Sequence, residues 1–402
     1  MSTPNEHGPL GYLVPEFPNQ THAFFWREVQ GLREAGQTVH LFSTRRPGQA
    51  CLHEWADQAA NETSYVFPPN WFRTSLKLLA RPLHLAKALG YVLGLGESSW
   101  GARARLFGMI PSALELVEKT HEQQIQHIHV HSCAGAAHLA ALAKILGGPR
   151  YSLTLHGDLP VYGTDHAAKM SGAAFVSTVT RPLQAQVAEA VGLPHERIPV
   201  ITMGVDTRAF KPKLGPRKRR DALVLATIAR LNETKGHVHA LRAIRRCLDD
   251  GLAIEYRVAG EGPHRSVIEA EIAKLGLEEQ VQLLGSLPED DVRQLLEDCD
   301  AFVLPSFGLG EAAPVSVMEA MSCGLPVVCS IIGGTRDMIT HESDGLLTAQ
   351  QDEDELAQAF ATLCREPETR RRLGAAARER AVDEFDYRRV SFRLLDRIRS
   401  CA

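Results

Sequence analysis

The chain has 402 residues, of which 44% are hydrophobic, and its formal net charge is -4 at pH 7 with histidine neutral. This length suits two domains of roughly 200 residues each. The charge gives no reason to expect a nucleic-acid partner. The eight cysteines are scattered without a C-x-x-C pair, which argues against disulfides and zinc and favours a cytoplasmic location. Because no signal peptide and no run of 18 apolar residues is visible, we expect no membrane-spanning helix.

Short apolar runs alternate with longer amphipathic runs in the first half of the chain. The pattern of a buried strand is found in "LGYLVP", "TVHLFST", "HIHVHS" and "RYSLTLHG". A helical pattern is found in "HAFFWREVQGLREAG", which ends near Gly36, and in "AAHLAALAKILGG". This alternation predicts a parallel sheet covered by helices, and we assign residues 1–210 to this domain.

Residues 65–120 depart from the alternation and predict a helical insertion. The stretch 68–110 carries Trp71, Phe72 and many leucines among basic side chains, and Glu97 is its only acidic residue. Two interpretations stay open. The helices could pack on their own domain as an ordinary insertion, or their basic amphipathic face could lie on anionic lipid at the inner face of the cytoplasmic membrane.

A basic stretch interrupts the pattern near the middle of the chain. Residues 211–221, "KPKLGPRKRRD", contain two prolines and predict an interdomain linker. Strand and helix patterns then alternate again over residues 222–385, which predicts a second doubly wound domain. Residues 386–402 predict a basic amphipathic helix that could cross back to the first domain.

Two cations lie where the first strand of the second half ends. In "ATIARLNETKGH", Arg230 and Lys235 lie five apart, between the end of a strand and the start of a helix. A planar guanidinium and a compact ammonium together suit a diphosphate. The alternative is a solvated basic pair at a strand exit.

A glycine-rich turn follows the next predicted strand. In "VAGEGPHR", Gly260 and Gly262 would let backbone amides approach a ligand closely. The stretch resembles the start of a dinucleotide fingerprint, but Arg265 occupies the position of the third glycine. "GLGEAA" at 308–313 is a second short match without a suitable ribose-binding acid. The signal for NAD is therefore weak.

Two glutamates lie eight apart in "EAAPVSVMEAM". Pro314 is a good first-turn residue, so a helix should begin about there. Glu311 then lies in the loop before the helix, and Glu319 lies one to two turns inside it. The two carboxylates could flank one ligand whose phosphate faces the helix N-terminus, since carboxylates accept hydroxyl donors well. The alternative is one loop glutamate and one exposed helix glutamate.

Two other patterns could suggest a metal site. "HIHVHS" places His127, His129 and His131 on one face of a strand. No acidic partner is evident in the sequence, so we expect no metal here and place His131 nearest the functional site. "DCD" at 298–300 precedes a strand instead of following one, which predicts a capping or surface role.

An ordered set of motifs resembles a known family. In the second half these are "GVDTRAF", "ARLNETKG", "VAGEGP", "LLGSLPEDDV", "DAFVLPS", "GEAAPVSVMEAMSCGLPVV" and "IGGTRDMI". In this order they resemble the retaining glycosyltransferases of family four. "VPEFPNQTHAFFWREVQGLREAGQTVHLFS", "HIHVHS" and "YSLTLHGD" resemble members that build exopolysaccharide, colanic-acid or O-antigen repeat units. The resemblance implies the α/β GT-B architecture, with two Rossmann-like, doubly wound parallel-sheet domains facing a central cleft.

The resemblance also implies roles for individual residues. Arg230 and Lys235 match the pair that binds the donor diphosphate. Glu319 matches the glutamate that holds the ribose hydroxyls, while Glu311 matches the one facing the donor sugar. His156 matches a histidine near the donor sugar, so His156 and Glu311 are the candidate catalytic residues. The full implied donor-binding set is Arg230, Lys235, Gly260, Gly262, Gly285, Ser286, Glu311, Ala312, Pro314, Val315 and Glu319.

The implied reaction moves a hexose from a UDP- or GDP-sugar to a polyprenyl-diphosphate-linked or oligosaccharide acceptor, with retention. The basic pair and the helix amides near 313–316 can stabilise the leaving diphosphate, so no metal and no cofactor beyond the nucleotide sugar are expected. The acceptor hydroxyl would attack from the leaving-group face and give its proton to a phosphate oxygen. We assign no protein nucleophile.

Other activities on the same fold remain as alternatives. One is a sugar-nucleotide epimerase or a phosphorylase, although no lysine has a pyridoxal-phosphate context. Another is a catalytically silent partner of a second transferase, against which the intact Arg230, Lys235, Glu311 and Glu319 argue. The chain also departs from the family pattern. His22 replaces a usual glutamate, and Arg336 and Asp337 replace a usual proline and glutamate.

Overall fold

The computed structural model describes residues 8–48, 51–213, 221–309 and 311–401. The chain forms two compact units. The first unit comprises Met1–Thr202 together with Arg388–Ala402, and the second comprises Met203–Tyr387.

The first unit is built on a parallel sheet, as the strand and helix alternation predicted. Its strands are β1 (Leu10–Val14), β2 (Val39–Ser43), β3 (Thr63–Tyr65), β4 (His127–His131), β5 (Arg150–Leu155) and β6 (Val176–Thr178). Its helices up to residue 202 are α1 (Ala23–Glu34), α2 (Ala56–Glu62), α3 (Trp71–Leu79), α4 (Pro82–Leu93), α5 (Trp100–Glu122), α6 (Gly135–Ile145), α7 (His166–Ser171) and α8 (Arg181–Val191). Among the described residues the strand order is β3-β2-β1-β4-β5-β6, and neighbouring strands run parallel.

The second unit repeats this topology. Its strands are β7 (Leu223–Ile228), β8 (Ile254–Ala259), β9 (Val281–Gly285), β10 (Ala301–Leu304), β11 (Val327–Ser330) and β12 (Leu346–Thr348). Its helices are α9 (His237–Asp249), α10 (Arg265–Leu275), α11 (Glu289–Glu297), α12 (Val315–Ser322), α13 (Thr335–Met338), α14 (Glu353–Arg365) and α15 (Pro367–Glu384). The order of the described strands is β12-β11-β10-β7-β8-β9. Read from the other edge, this is the Rossmann order 3-2-1-4-5-6, which both units share.

The unit boundary lies before the predicted linker. Of residues 211–221, residues 214–220 lie outside the described part of the chain. The division after Thr202 has a physical cause, because Val205 is hydrogen-bonded to the C-terminal end of the second unit. The Val205 amide donates to the Phe385 carbonyl at 2.8 Å, and the Tyr387 amide donates to the Val205 carbonyl at 3.0 Å.

The last helix, α16 (Tyr387–Arg399), supplies apolar side chains to the core of the first unit. Val390, Leu394, Leu395 and Ile398 are buried in the same cluster as α1. They recur at three- and four-residue intervals, which places them on one helix face. Polar contacts fix this helix further, since the Ser391 hydroxyl donates to a backbone carbonyl of α1 at 3.1 Å.

The inserted helices α3, α4 and α5 pack on the first unit and leave apolar side chains exposed. Helix α3 packs against α5, and α4 packs against both α5 and α6. Large apolar side chains of this region are nevertheless among the most exposed of the described residues: Phe72, Leu76, Leu79, Leu83, Leu93 and Trp100. No helix of the described chain combines the length and apolar character needed to cross a bilayer.

Candidate active site

Three predicted site residues of the second unit follow adjacent strands: Arg230, Lys235 and Glu311. Strands β7 and β10 pair in parallel, so their carboxyl ends lie at the same edge of the sheet. The strand order reverses between them, because β8 and β9 extend to one side and β11 and β12 to the other. Such a switch point is where open α/β sheets bind ligands. Arg230 and Lys235 follow β7, and Glu311 follows β10.

Lys235 and Glu311 form an ion pair across this switch point. The Lys235 Nζ atom contacts Glu311 Oε2, and the Ser306 hydroxyl donates to the same oxygen at 2.9 Å. Glu311 is only 9% exposed, so its carboxylate is held in a partly desolvated position by one cation and one hydroxyl. The sequence did not single out Ser306, although it ends the quoted motif "DAFVLPS".

Arg230 lies near this pair in the chain and its guanidinium is exposed. No hydrogen bond or ion pair to that guanidinium is present among the described residues. Its backbone is held, because the buried His237 ring donates from Nε2 to the Arg230 carbonyl at 3.2 Å. Burial lowers the pKa of His237 to about 4, so the ring is neutral near pH 7. The loop therefore presents a fixed backbone and a free cation.

The structure explains why glycine is required at positions 260 and 262. A Cβ atom at Gly260, where φ is +146°, would lie 1.9 Å from the Ala229 carbonyl oxygen. A Cβ atom at Gly262 would lie 2.5 Å from the Leu231 carbonyl oxygen. Only glycine lets this turn pack so closely on the backbone that carries Arg230. The Gly260 amide donates to the Gly285 carbonyl at 2.7 Å, which joins the turn to the end of β9 and to the exposed Ser286 that follows it.

Helix α12 begins at Val315, one residue after the predicted start at Pro314. The first amides of a helix have no partner within the helix and carry a partial positive charge. Ala312, Pro314 and Val315 line this helix start, and the Ala312 carbonyl accepts from the Gly334 amide at 2.7 Å. Glu319 lies in the second turn and is 8% exposed. This excludes the alternative interpretation, in which the helix glutamate is exposed.

His156 lies in the first unit, directly after β5, and takes part in a chain of polar contacts. Its Nε2 atom lies 2.9 Å from Nδ1 of His131, the last residue of β4. The His131 Nε2 atom lies 3.1 Å from Glu28 Oε1, to which the Tyr12 hydroxyl donates at 2.8 Å. Burial lowers the pKa of His131 and of His156 to about 3, so both rings are neutral near pH 7.

The expectation that the histidines of β4 have no acidic partner was wrong. Glu28 of α1 lies close enough to His129 and His131 for one ligand atom of each to fall within 4.8 Å of the others. The sequence did not reveal this contact, because α1 precedes β4 by almost a hundred residues. Both ring nitrogens of His129 are already engaged at 2.8 Å by the Ser152 and Thr154 hydroxyls. His127 contacts the same Ser152 hydroxyl at 2.8 Å.

The "DCD" residues hold the second unit together locally. Asp300 accepts a hydrogen bond from the Val224 amide at 3.0 Å and fixes the amino end of β7. Asp298 forms an ion pair with Lys213 at 2.7 Å. Both contacts are structural and lie before β10, at the edge of the sheet opposite to Glu311.

The predicted residues are therefore distributed over both units. The donor-binding set lies in the second unit, at or after the carboxyl ends of β7, β8, β9 and β10. His156 belongs to the first unit, at the carboxyl end of β5. Of the predicted pairs, Lys235 and Glu311 are brought into direct contact.

Comparison with known proteins gives a consistent assignment. Residues 23–209 match the family model described as Glycosyltransferase Family 4, and residues 210–380 match the model described as Glycosyl transferases group 1. The amylovoran biosynthesis glycosyltransferase AmsK of Erwinia amylovora is 27% identical over 97% of this chain and 98% of its own length. The putative colanic acid biosynthesis glycosyltransferase WcaL of Escherichia coli K12 is 36% identical over 43% of each chain.

Solved structures support the fold. The crystal structure of HepE from Anabaena in complex with UDP superimposes with a TM-score of 0.75 at 17% identity, over 98% of this chain and 100% of that chain. The same protein in complex with UDP-glucose gives a TM-score of 0.74. With the two family models side by side over residues 23–380 and a Rossmann-like sheet in each unit, the chain belongs to the family-four glycosyltransferases and has the GT-B fold.

Proposed function

We propose that this glycosyltransferase moves a hexose, with retention of configuration, from a UDP- or GDP-sugar to a lipid-linked or glycan acceptor during the assembly of a cell-surface exopolysaccharide. The observation that carries the donor part is the switch point of the second unit. There the free guanidinium of Arg230 lies close in sequence to Lys235, whose ammonium contacts Glu311.

The charges at this switch point suit a diphosphate. Lys235 is balanced by Glu311, so Arg230 leaves a net positive charge for the ligand. The amides at the start of α12 add a partial positive charge. A diphosphate facing these groups gains charge-assisted hydrogen bonds from both cations. In this arrangement Glu319 would hold the ribose hydroxyls, while Gly285 and Ser286 would lie near the base.

The proposed chemistry needs few protein groups. The leaving nucleoside diphosphate gains negative charge in the transition state, and Arg230, Lys235 and the α12 amides would stabilise that charge without a metal. Glu311 would face the transferred sugar, and a phosphate oxygen would take the proton of the acceptor hydroxyl. His156 would contribute a neutral imidazole that contacts a substrate hydroxyl.

The names of the relatives support the pathway part of the proposal. AmsK is described as an amylovoran biosynthesis glycosyltransferase and WcaL as a putative colanic acid biosynthesis glycosyltransferase, and both products are exopolysaccharides. HepE has been crystallised with UDP and with UDP-glucose, whereas a relative from Mycolicibacterium smegmatis is described as GDP-mannose-dependent. Both nucleotides therefore need to be tested.

We further propose that α3 and α4 rest on an anionic lipid surface, where a polyprenyl-diphosphate acceptor would be anchored. Phe72 is 79% and Leu83 is 76% exposed, which is unusual for such large apolar side chains unless they meet a partner. The positive charge is smaller than the composition suggested, because Arg73 and Lys77 both pair with Glu118. Exposed cations without a partner among the described residues remain nearby at Arg81, Lys87 and Arg105.

The donor proposal is tested by thermal shift with UDP-, GDP- and ADP-sugars, each with and without EDTA. A ligand that binds the native state raises the melting temperature by mass action. We expect one nucleotide series to raise it, equally with EDTA, and the shift to be lost in Glu319→Ala. The control Glu368→Ala removes an exposed carboxylate from α15 and should keep the shift.

Transfer assays separate the alternatives. Release of nucleoside diphosphate together with a glycosylated acceptor supports transfer. Conversion of the nucleotide sugar without an acceptor would support an epimerase. An absent thermal shift with every donor would contradict the donor site and favour a catalytically silent partner.

A further inference from the structure

A chain of polar contacts runs through four side chains and ends at His156, whose Nδ1 atom has no partner among the described residues. In order, the contacts join the Tyr12 hydroxyl, Glu28 Oε1, the two nitrogens of His131 and His156 Nε2. The remaining nitrogen, His156 Nδ1, is inaccessible to solvent and forms no hydrogen bond within the described residues. A buried polar atom without a partner costs free energy unless a ligand satisfies it.

Which atom donates in each contact of this chain can be worked out by starting at Tyr12. Burial holds the pKa of Tyr12 well above its ordinary value, so its hydroxyl keeps its proton and donates to Glu28. The Glu28 oxygen therefore presents lone pairs to His131 at 3.1 Å, in a close polar contact that is not an aligned hydrogen bond. A bare ring nitrogen facing that oxygen would be repelled, because two lone pairs would meet. The His131 proton is thus favoured on Nε2.

The tautomer of His156 follows from that of His131. A neutral imidazole carries one proton, so His131 Nδ1 is left as an acceptor. The 2.9 Å contact then needs its proton from His156 Nε2. This leaves His156 Nδ1 without a proton, as a hydrogen-bond acceptor.

We propose that Glu28 and His131 are positioning residues that hold His156 in its Nε2-protonated tautomer, so that Nδ1 accepts a hydrogen bond from a hydroxyl of the sugar substrate. Sugars are rich in hydroxyl donors, and a bare nitrogen accepts from them without a proton transfer. The role of the acceptor nitrogen rests on the proposed function, whereas the tautomer does not.

The surroundings keep this state neutral. Two further titratable groups lie against the chain: His129 on β4 and His22 before α1. Burial lowers the pKa of His22 to about 4 and that of His129 well below its ordinary value. The aromatic rings of Phe24 and Phe25 pack on His156 with centroids 5.2 and 5.3 Å away. Neither ring offers an alternative proton acceptor to Nε2.

The experiment is a long-range 1H–15N NMR spectrum of protein labelled with 15N-histidine, which separates protonated from bare ring nitrogens. The His156 signals are assigned by their loss in His156→Asn. At neutral pH we expect a bare Nδ1 and a protonated Nε2 in the wild type. In His131→Leu, which removes the acceptor, we expect a mixture of tautomers and a fall in kcat of about tenfold, with the donor KM little changed.

Three variants make the test specific. His131→Asn keeps an acceptor near the Nδ1 position and should restore the tautomer and most of the activity. Glu28→Gln keeps the shape but can turn a donor towards His131, so it should weaken the preference. His127→Leu removes a buried imidazole from the same strand, whose contact is with Ser152, and should leave the His156 signals unchanged.

The NMR measurements test the tautomer of His156 without requiring that the donor be known. A proton on His156 Nδ1 in the wild type would overturn it, as would unchanged His156 signals in both His131→Leu and Glu28→Gln. The expected NMR pattern without any transferase activity would retain the tautomer and reject the proposed function. A changed tautomer with unchanged kcat would reject the catalytic role of Nδ1.

Discussion

At the scale of single residues, buried histidines make the stability of this protein depend on pH. Burial lowers the pKa of His127, His138 and His237 to about 4 and that of His131 and His156 to about 3. Unfolded, each ring would have a pKa near 6.5. The unfolded state therefore binds more protons than the native state between about pH 6.5 and pH 4. The partly buried Glu28, whose pKa is raised by desolvation, offsets this only in part, since it can take up a single proton.

We accordingly predict that the free energy of unfolding falls as the pH is lowered from about 6.5 towards 4. Each such histidine contributes a slope of up to about 1.4 kcal/mol per pH unit. Urea denaturation at pH 7.0, 6.0 and 5.0 measures the slope. His138→Gln, which removes a ring that contacts the Tyr91 hydroxyl at 2.8 Å, should reduce the slope by about one proton. An equal slope in wild type and variant would show that His138 has the same pKa in the folded and the unfolded protein.

Among the elements, α3 and α4 show that the two interpretations of the inserted helices do not exclude each other. They are packed on their own unit, and one set of their side chains is exposed. On α3 the exposed Phe72, Leu76 and Leu79 lie at intervals of four and three residues, which places them on one stripe of the helix. An insertion packed through its other face can still present this stripe to lipid.

The exposed apolar side chains of α3 and α4 lead to a prediction about binding to membranes. We expect the wild type to float with vesicles containing anionic phospholipid at low salt and to float less at high salt, since the electrostatic part is screened. The double variant Phe72→Ser/Leu83→Ser should lose most of the bound fraction. Phe392→Ala, which removes a 59%-exposed ring from α16, serves as the control and should float normally. If the wild type stays at the bottom of the gradient at low salt, the membrane proposal is wrong.

At the scale of the whole molecule, the end of the chain completes the core formed by its beginning. Leu394 of α16 is 1% exposed and shares a cluster with Phe25 and Val29 of α1. We predict that Leu394→Ala destabilises the first unit by about 2–5 kcal/mol, as truncation of a buried leucine does. Phe392→Ala on the exposed face should change stability by no more than about 0.5 kcal/mol.

The tryptophans allow this to be measured in one unit. The four tryptophans, Trp26, Trp55, Trp71 and Trp100, all belong to the first unit. Their fluorescence during urea denaturation therefore reports on that unit. An unchanged fluorescence midpoint for Leu394→Ala would show that α16 does not support it.

Much of the fold could be predicted from the sequence, because the alternation of strand and helix depends on local patterns. The same alternation placed Arg230, Lys235 and Glu311 after strands, and in a parallel sheet all such residues lie at one edge. The sequence also indicated that glycine is needed at positions 260 and 262. In the structure, however, glycine is needed there because the turn packs closely on the backbone at Ala229 and Leu231.

Local patterns are therefore enough to predict the set of elements and the edge of each sheet at which polar residues gather. Which of those residues meet is a property of the tertiary structure. It brought Glu28 to His131, Ser306 and Lys235 to one oxygen of Glu311, and α16 to the core of the first unit. The physical reason is that strand and helix patterns arise from neighbouring residues. Contacts between distant residues depend on strand order and helix packing, which no local pattern encodes.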